Sequence, residues 1–473
     1  MGIPSYFSYI LKNYKGIIFK QKECETIDTL MMDCNSIIYD CYYKLISDYE
    51  TISDDLLESM LIQHVIKQIE KYIFVIKPTS MVFIAFDGVA PFAKMVQQRK
   101  RRYKSLFMSQ FEKPRPWNTS YITPGTQFMQ NLSKLVNSHF VAKTDLKYIV
   151  SSSEIPGEGE HKMFAYLREN DYKKSVVGVY GLDSDLIMLS ICNSKHVKNI
   201  YIIREEPDFQ KKTSNRGEYN KDLIFIKEEG LSKGIKEESS AGAEDYMFMC
   251  ILLGNDFLPG FPALNLRTNG YQHLMETYKK TIGNYENRTL YDGKIQWKWF
   301  SIFLNELSKN ERQYMIEEYE IQNKKELHFK YKKYKTIEER ISNIPIIHRN
   351  KEKYINPCED GWEKRYYRSL STSSSYEYIQ GLEWVAEYYT QGTNDWKWHF
   401  KHFFPPLLQD LKQQHIHKYT NPHTSPLSQL LFVLPPSVLH KLGIQTSSSD
   451  PDTSLYDWTY SRYFWEAKPI LNH

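Results

Sequence analysis

Short apolar runs recur through the first half of the chain, and a longer stretch with helical spacing follows most of them. The runs are IDTLMMD (27–33), SMVFIAF (80–86), LKYIV (146–150), VVGVY (176–180) and NIYIIR (199–204). Their length and near-continuous apolar character read as strands buried on both faces. Residues 34–50, 54–74, 91–110, 126–140 and 158–168 read as helices. In the second of these Leu57, Met60, Leu61, Val65 and Ile69 mark the inward stripe. Strand and helix in alternation predict an α/β fold on a parallel sheet. MGIPSYFSYILKN at the start predicts a short helix on the core after Pro4.

The pattern changes further on. Residues 205–242 are charged and Gly/Ser-bearing and read as a surface excursion. A helix from Ala243 to Leu253 is expected to end at Gly254, a C-cap, with Pro259 preventing continuation. Residues 285–350 are charged and read as largely helical, a joint or an arm. Ser371 to Ser375 reads as a mobile linker or loop. Beyond it Gly381 to Tyr389 reads as helix, and Asp395 to Phe400 opens an aromatic, basic block. No internal repeat is visible.

The apolar runs matter chemically because acids end or interrupt them: Asp33, Asp87, Glu158, Glu160, Asp183, Asp185 and Asp256. Side chains at the carboxyl ends of parallel strands face the crevice where ligands bind. A βαβ unit with neighbouring strands would bring Asp33 and Asp87 together. Asp183 and Asp185 stand two apart in a turn, a spacing that Asx turns also produce. Glu158 and Glu160 stand at a helix start, where the dipole alone favours acids. Carboxylates gathered in a crevice need a counter-charge. With no soft ligand beside them, the counter-charge expected is a hard divalent ion, Mg²⁺ or Mn²⁺.

Directly after Asp87 comes a basic helix. Lys94, Gln98, Arg101, Arg102 and Ser105 recur at steps of three and four, roughly along one face. Such a face can simply be solvated; beside an acid cluster it can also hold phosphate, Arg as a fork and Lys as a point charge. Acids for metal next to bases for phosphate suit hydrolysis of a phosphodiester.

Composition adds limits. The 473 residues carry 61 Lys+Arg against 57 Asp+Glu, so net charge (+4) says little about nucleic acid and local clustering carries that argument. Aromatic residues make up 15%, including 36 Tyr and 9 Trp, enough for base-stacking platforms as well as core. Six scattered cysteines contain no CxxC pair or zinc spacing, which points to reduced thiols in the cytoplasm or nucleus. Polar and charged interruptions through residues 1–19 argue against a signal peptide, Tyr6 argues against myristoylation at Gly2, and no apolar run approaches bilayer length.

Taken jointly, GVAP with KMVQQRKRR (88–102), ITPGTQFM (122–129), IPGEGEHK (155–162), YGLDSDLIML (180–189), LLGNDFLP (252–259), QGLEWVAEYY (380–389), WKWHF (396–400) and QLLFVLPP (429–436) resemble the Xrn family of 5′→3′ exoribonucleases. The resemblance implies a PIN-like, flap-nuclease-like parallel-sheet core with a largely helical second region packed against it. It implies a nuclease core over 1–300, a charged helical connector over 301–354, and a second region over 355–473 that walls the active site. All seven acids would hold divalent metal, and Lys94, Gln98, Arg101 and Arg102 would bind a 5′-monophosphate. The implied activity is metal-dependent, processive hydrolysis of single-stranded, 5′-monophosphorylated RNA to nucleoside 5′-monophosphates, by a monomer. A flap-type structure-specific endonuclease and an inactive RNA-binding protein are the alternatives. Family members carry His where this chain has Tyr39. The implied partner of that ring across the leading base is Trp398, with Trp396 as second candidate. The segment from Arg102 to Ile122 is short, implying a reduced tower helix. The long C-terminal extensions of cytoplasmic members are missing, which suits a compact viral or protist version.

Overall fold

The computed structural model describes residues 2–3, 5–48, 53–111, 117–206, 223–283, 287–393, 395–414, 416–455, 457–459, 461 and 466–470. Seven strands make the central sheet: β1 (Ile18–Phe19), β2 (Thr29–Asp33), β3 (Met81–Ala85), β4 (Lys147–Ser151), β5 (Tyr172–Tyr180), β6 (Val197–Glu205) and β7 (Leu223–Lys227). Their order is β1-β7-β6-β5-β2-β3-β4. From β6 to β4 all neighbours are parallel; β7 and β1 add an antiparallel edge. In register, Met32 lies opposite Ile84 of β3 and Tyr180 of β5.

Period-two alternation splits the strand residues between two cores. Leu30, Met32, Val82 and Ile84 enter one, and Met31, Phe83, Val177 and Val179 the other. Both faces are covered, so β2 and β3 read as unbroken apolar runs and are buried throughout.

Helices α1 (Tyr6–Asn13), α2 (Asn35–Asp48), α3 (Asp54–Ile76), α4 (Phe92–Met108), α5 (Gln127–Val141), α6 (Gly159–Glu169) and α7 (Asp185–Asn193) lie among the strands. Pro91 is the N-cap of α4, one position before the helix. Thr126 caps α5 by accepting from the Met129 N–H. Next come α8 (Glu228–Ser239), α9 (Ala243–Ile251), α10 (Gly270–Thr281), α11 (Trp297–Ser308), α12 (Glu311–Lys330), α13 (Ile337–Ser342), α14 (Ile344–Ile347), α15 (Asn350–Ile355) and α16 (Trp362–Ser369). The chain finishes with α17 (Ser375–Thr390), α18 (Pro426–Val433), α19 (Pro436–Lys441) and the small hairpin of β10 (Asp457–Trp458) and β11 (Pro469–Ile470). A second hairpin, β8 (Leu290–Tyr291) with β9 (Lys294–Ile295), precedes α11.

Several expectations need correction. The excursion read over 205–242 contains β7 and α8, and α8 buries Leu231 and Ile235. Residues 207–222 lie outside the described residues, so that part of the expectation is not addressed. Residue 300, the expected end of the nuclease core, lies inside α11. The run Ser371–Ser375 is not a free linker: Ser374 and Glu377 form a capping box on α17. The reduced tower expected between Arg102 and Ile122 lies partly outside the described residues; α4 ends at Met108.

Within residues 355–473, Ile355, Trp362, Tyr366, Leu370 and Leu407 form a small cluster of their own, but α17 packs into the main core. Tyr378, Ile379, Leu382 and Val385 of α17 join the cluster that holds Met31, Phe83 and Val179. Replacing fully buried Leu382 with Ala would cost roughly 2–5 kcal/mol. That packing aims the last turn of α17 at the carboxyl ends of β2, β3 and β5.

Candidate metal centre and basic flank

Asp33 ends β2, and Asp87 lies two residues past β3. The parallel register sets them side by side, and Asn35 links them. Its side chain donates to Asp87 Oδ2 (2.6 Å) and accepts from the Asp87 N–H (3.0 Å), while its own N–H donates to Asp33 Oδ1 (3.4 Å). The Gly159 N–H at the start of α6 donates to Asp87 Oδ1 at 2.7 Å. A Cβ on Gly159 would lie 2.8 Å from Asp33 Oδ1, so glycine is required for this close approach.

Glu158 is the N-cap of α6 and Glu160 lies in its first turn. Lys94 Nζ bridges Glu158 Oε2 (2.7 Å) and Asp256 Oδ2 (2.8 Å). Asp256 reaches this bridge from a folded-back turn. Gly254 holds φ +90° there, and Asn255 Oδ1 accepts from the N–H groups of Phe257 and Leu258 at 2.9 and 2.8 Å. Asp185 is buried at the first position of α7, while Asp183 stands at the exposed edge of the group.

Electrostatics describe a site short of positive charge. Burial first, then Asp87 and Asp183, hold the Asp33 carboxyl well above the usual range. Burial, Asp185 and Glu158 do the same to Glu160. Asp185 is pushed up to about 6, chiefly by burial. Burial raises Asp256 too, but the positive charges around it, Lys94 foremost, together outweigh burial and hold Asp256 well below the carboxylate range. Glu160 Oε2 is buried without a hydrogen-bond partner. Crowded hard oxygens, raised pKa values and an orphaned buried carboxylate oxygen fit a divalent cation. The ligand atoms of Glu158, Glu160 and His161 also lie within 4.8 Å of one another. Burial holds His161 neutral, and its Nδ1 is unpartnered.

Five residues at the site were not singled out from sequence: Asn35, His161, Lys162, Tyr388 and Tyr389. Lys162 donates to the carbonyls of Ser152 (2.8 Å) and Ile155 (3.0 Å), fixing the loop before Glu158. From α17, Tyr388 OH donates to Glu158 Oε1 (2.7 Å) and Tyr389 OH to Asp185 Oδ1 (2.8 Å). Burial raises both phenols far above their usual range, so they stay protonated donors. The Tyr388 ring also stacks on His161 with centroids 3.7 Å apart. The motifs IPGEGEHK and QGLEWVAEYY contain four of the five; Asn35, two residues past Asp33, lies in neither.

The four residues expected to bind phosphate separate. Lys94 is buried among the acids. Gln98 is half-buried, Arg101 is exposed, and Arg102 donates to the Ile122 carbonyl (3.4 Å) and Thr123 Oγ1 (3.3 Å). Arg102 also shares a side-chain hydrogen bond with Tyr39, which is half-buried on α2. Trp398 is 8% exposed and stacks on Trp384 (4.6 Å), which stacks on Tyr388 (4.9 Å). A run of four rings thus ends at His161. Trp396 is half-buried with its edge to His423.

Residues 1–206 match the family model described as XRN 5′-3′ exonuclease N-terminus. Residues 240–356 and 348–458 match the one described as Xrn1 helical domain. The chain is 29% identical to 5′-3′ exoribonuclease 1 of Saccharomyces cerevisiae over 66% of its length and 23% of the relative's. It is 24% identical to the 5′-3′ exoribonuclease 2 homolog of Drosophila melanogaster, covering 97% of this chain and 67% of that protein. For 5′-3′ exoribonuclease 1 of Homo sapiens the values are 26%, 100% and 33%. The chain thus spans from about a quarter to about two-thirds of the length of these relatives. A solved structure, the catalytic core of Rad2 in complex with DNA substrate, gives a TM-score of 0.35 at 16% identity, covering 64% of this chain and 80% of that one.

Proposed function

The chain belongs to the XRN 5′-3′ exonuclease family, and from that premise we propose that it is a processive 5′→3′ exoribonuclease acting on single-stranded, 5′-monophosphorylated RNA. The observation that carries this reading is the meeting of seven acids with the basic helix α4 at Lys94, which ion-pairs with both Glu158 and Asp256. Asp33, Asp87, Glu158, Glu160, Asp183, Asp185 and Asp256 would hold Mg²⁺ or Mn²⁺. When bound, the ion supplies charge neutralisation at the scissile phosphate and a lowered pKa for water.

The chain's own groups do the rest. Gln98, Arg101 and Arg102 take the terminal phosphate, with Lys94 between them and the acids. Phosphate fixed there sets the first linkage over the carboxylates. Tyr388 and Tyr389 orient Glu158 and Asp185 by donating to one oxygen of each, and the second oxygen of Glu158 is the one that pairs with Lys94. Tyr39 and Trp398, with Trp396 as second candidate, stack on the leading base. Hydrolysis releases a nucleoside 5′-monophosphate and leaves a new 5′-phosphate end, so the same pocket can engage again. All six cysteines are free, which suits a reducing compartment, the cytoplasm or the nucleus. Among the described residues no helix is long and apolar enough to cross a membrane.

The test compares one RNA with 5′-phosphate, 5′-hydroxyl, 5′-triphosphate and cap, beside a 5′-flap DNA, for the protein and for Arg101→Ala with Arg102→Ala. Mononucleotide release from 5′-phosphate RNA alone is expected. A charge-assisted bond to phosphate is worth about 1.5–3 kcal/mol, so the double variant should lose at least roughly tenfold of its 5′-phosphate preference. Internal cleavage of the flap DNA, or an unchanged preference in the variant, overturns the reading.

A further inference from the structure

Helix α4 carries a second basic line. Lys94, Gln98, Arg101 and Arg102 follow one course along the helix; Lys100 and Lys104 follow the next. The second line faces a cavity of about 570 Å³ that neither Gln98 nor Arg102 lines. Its far wall is the turn that presents Asp256, joined by Phe403 and by Lys468 just before β11. Lys468 lies beyond residue 458, where the family match ends, so that match leaves this wall unassigned.

The cavity holds more positive charge than it pairs. Lys100 Nζ sits 4.4 Å from the Phe403 ring centroid. Among the described residues neither Lys100 nor Lys468 makes an ion pair. Lys104 donates to the Ala467 carbonyl at 2.9 Å, which draws the residue before Lys468 against α4. Burial, then Lys468, pushes the Lys100 ammonium down to about 7. Burial and Lys468 likewise push Lys104 down to about 8, although Glu466 opposes them. An anion would relieve all three. Apolar walls and a ring face stand beside these cations, and the volume falls within the roughly 300–1,000 Å³ of small-molecule pockets.

We propose that this cavity binds a nucleoside 5′-monophosphate, with its phosphate held by Lys100 and Lys468 and its base against Phe403. The source of that nucleotide rests on the exoribonuclease reading, since Asp256 belongs to both the acid cluster and the cavity wall. Released product would pass from one to the other.

Equilibrium binding in EDTA tests the cavity without turnover. The probes are AMP, adenosine, inorganic phosphate and a 5′-hydroxyl oligoribonucleotide, against the full chain and its Lys100→Gln, Lys468→Gln and Arg102→Ala variants. AMP is expected to bind at least about tenfold tighter than adenosine or phosphate. Lys100→Gln and Lys468→Gln should each weaken AMP about tenfold at unchanged melting temperature, whereas Arg102→Ala should leave that lysine-dependent binding in place. AMP affinity lost in Arg102→Ala but kept in the lysine variants would place the nucleotide in the 5′-phosphate pocket and overturn the proposal. Phosphate binding as tightly as AMP overturns it also, as does oligoribonucleotide binding that depends on Lys100. Absence of hydrolysis with AMP binding intact would instead defeat the proposed function and leave the cavity standing.

Discussion

The acid site has two walls built by opposite means. The sheet wall places carboxylates at the ends of β2 and β3 and in the turns before α6 and α7, fixed by backbone and by close approach at Gly159. Its groups repel one another, and burial compounds the repulsion. The helical wall brings neutral phenols on α17, each donating one hydrogen bond. One wall stores the demand for a cation; the other orients the oxygens that would meet it. Ligands need a rigid but electrostatically strained scaffold, whereas orienting groups need reach and a satisfied, low-cost burial.

The strongest way to break the sheet wall is to neutralise its paired aspartates. Asp183→Asn with Asp185→Asn should lower hydrolysis in Mg²⁺ by more than about 100-fold, beyond what removal of an outer partner costs. RNA binding should be largely kept, and the metal-free melting temperature should hold or rise as repulsion is relieved. Near-normal turnover in a single-turnover assay would remove these residues from the metal site. On the helical wall, Tyr388→Phe with Tyr389→Phe should weaken metal affinity or activity about 10- to 100-fold. The measurement is the Mg²⁺ concentration for half-maximal rate; an unmoved midpoint would make the tyrosines simple packing.

The two walls also differ in how far the sequence shows them. Acids that end apolar runs are legible because strand burial and crevice position follow from local pattern. Asp33, Asp87 and Asp185 could be placed that way, and Asp256 through the glycine cap before it. Tyr388 could not. Its partner Glu158 is 230 residues away, and a tyrosine on an amphipathic helix reads as core. Lys94 was legible as a base on α4, but its burial between Glu158 and Asp256 depends on a turn more than 150 residues downstream. The sheet edge failed similarly: β7 is as long as β2, but its apolar run lies in a charged segment whose composition masks it. Local pattern reaches elements and their ends; contacts between distant elements need the packed core.

A smaller effect separates the walls by pH. The Asp185 carboxyl moves from about 3.8 to about 6 on folding. The folded state therefore binds the proton more tightly, and its contribution is full below about pH 4 and lost as pH rises through about 6. Asp33, Asp87 and Glu160 are also raised and act in the same direction. Asp256 is lowered, but its gain is complete above its unfolded value near 3.8. In EDTA the protein should thus lose on the order of 2 kcal/mol between pH 4 and 6.5. Asp185→Asn should flatten part of that slope, while Tyr389→Phe should keep or steepen it. Melts of all three across that range decide it; identical slopes would dismiss the crowding account.

The smallest expected effect concerns Tyr39, where α2 meets the basic flank. Its phenol is engaged by Arg102, so the side chain can serve the substrate in two ways. The ring can stack on the leading base, or the hydroxyl can steady the guanidinium that takes the phosphate. Stacking is worth about 1–3 kcal/mol by truncation. Half-burial of Tyr39 against the α2–α3 core argues for the low end, a factor of about five. Tyr39→Ala removes ring and hydroxyl together. Tyr39→Phe removes the hydroxyl alone, and Arg102 still keeps the Ile122 carbonyl and Thr123. Tyr39→His keeps a ring but gains a charge change near pH 6.5. If stacking dominates, kcat/KM on 5′-phosphorylated RNA falls about fivefold in the Ala variant and by less than about twofold in Phe and His. If the hydroxyl dominates, Phe falls with Ala, and the loss is confined to 5′-phosphate over 5′-hydroxyl ends. Equal kcat/KM for Ala and the unaltered protein, at an unchanged melting temperature, would leave Tyr39 as a packing residue of α2.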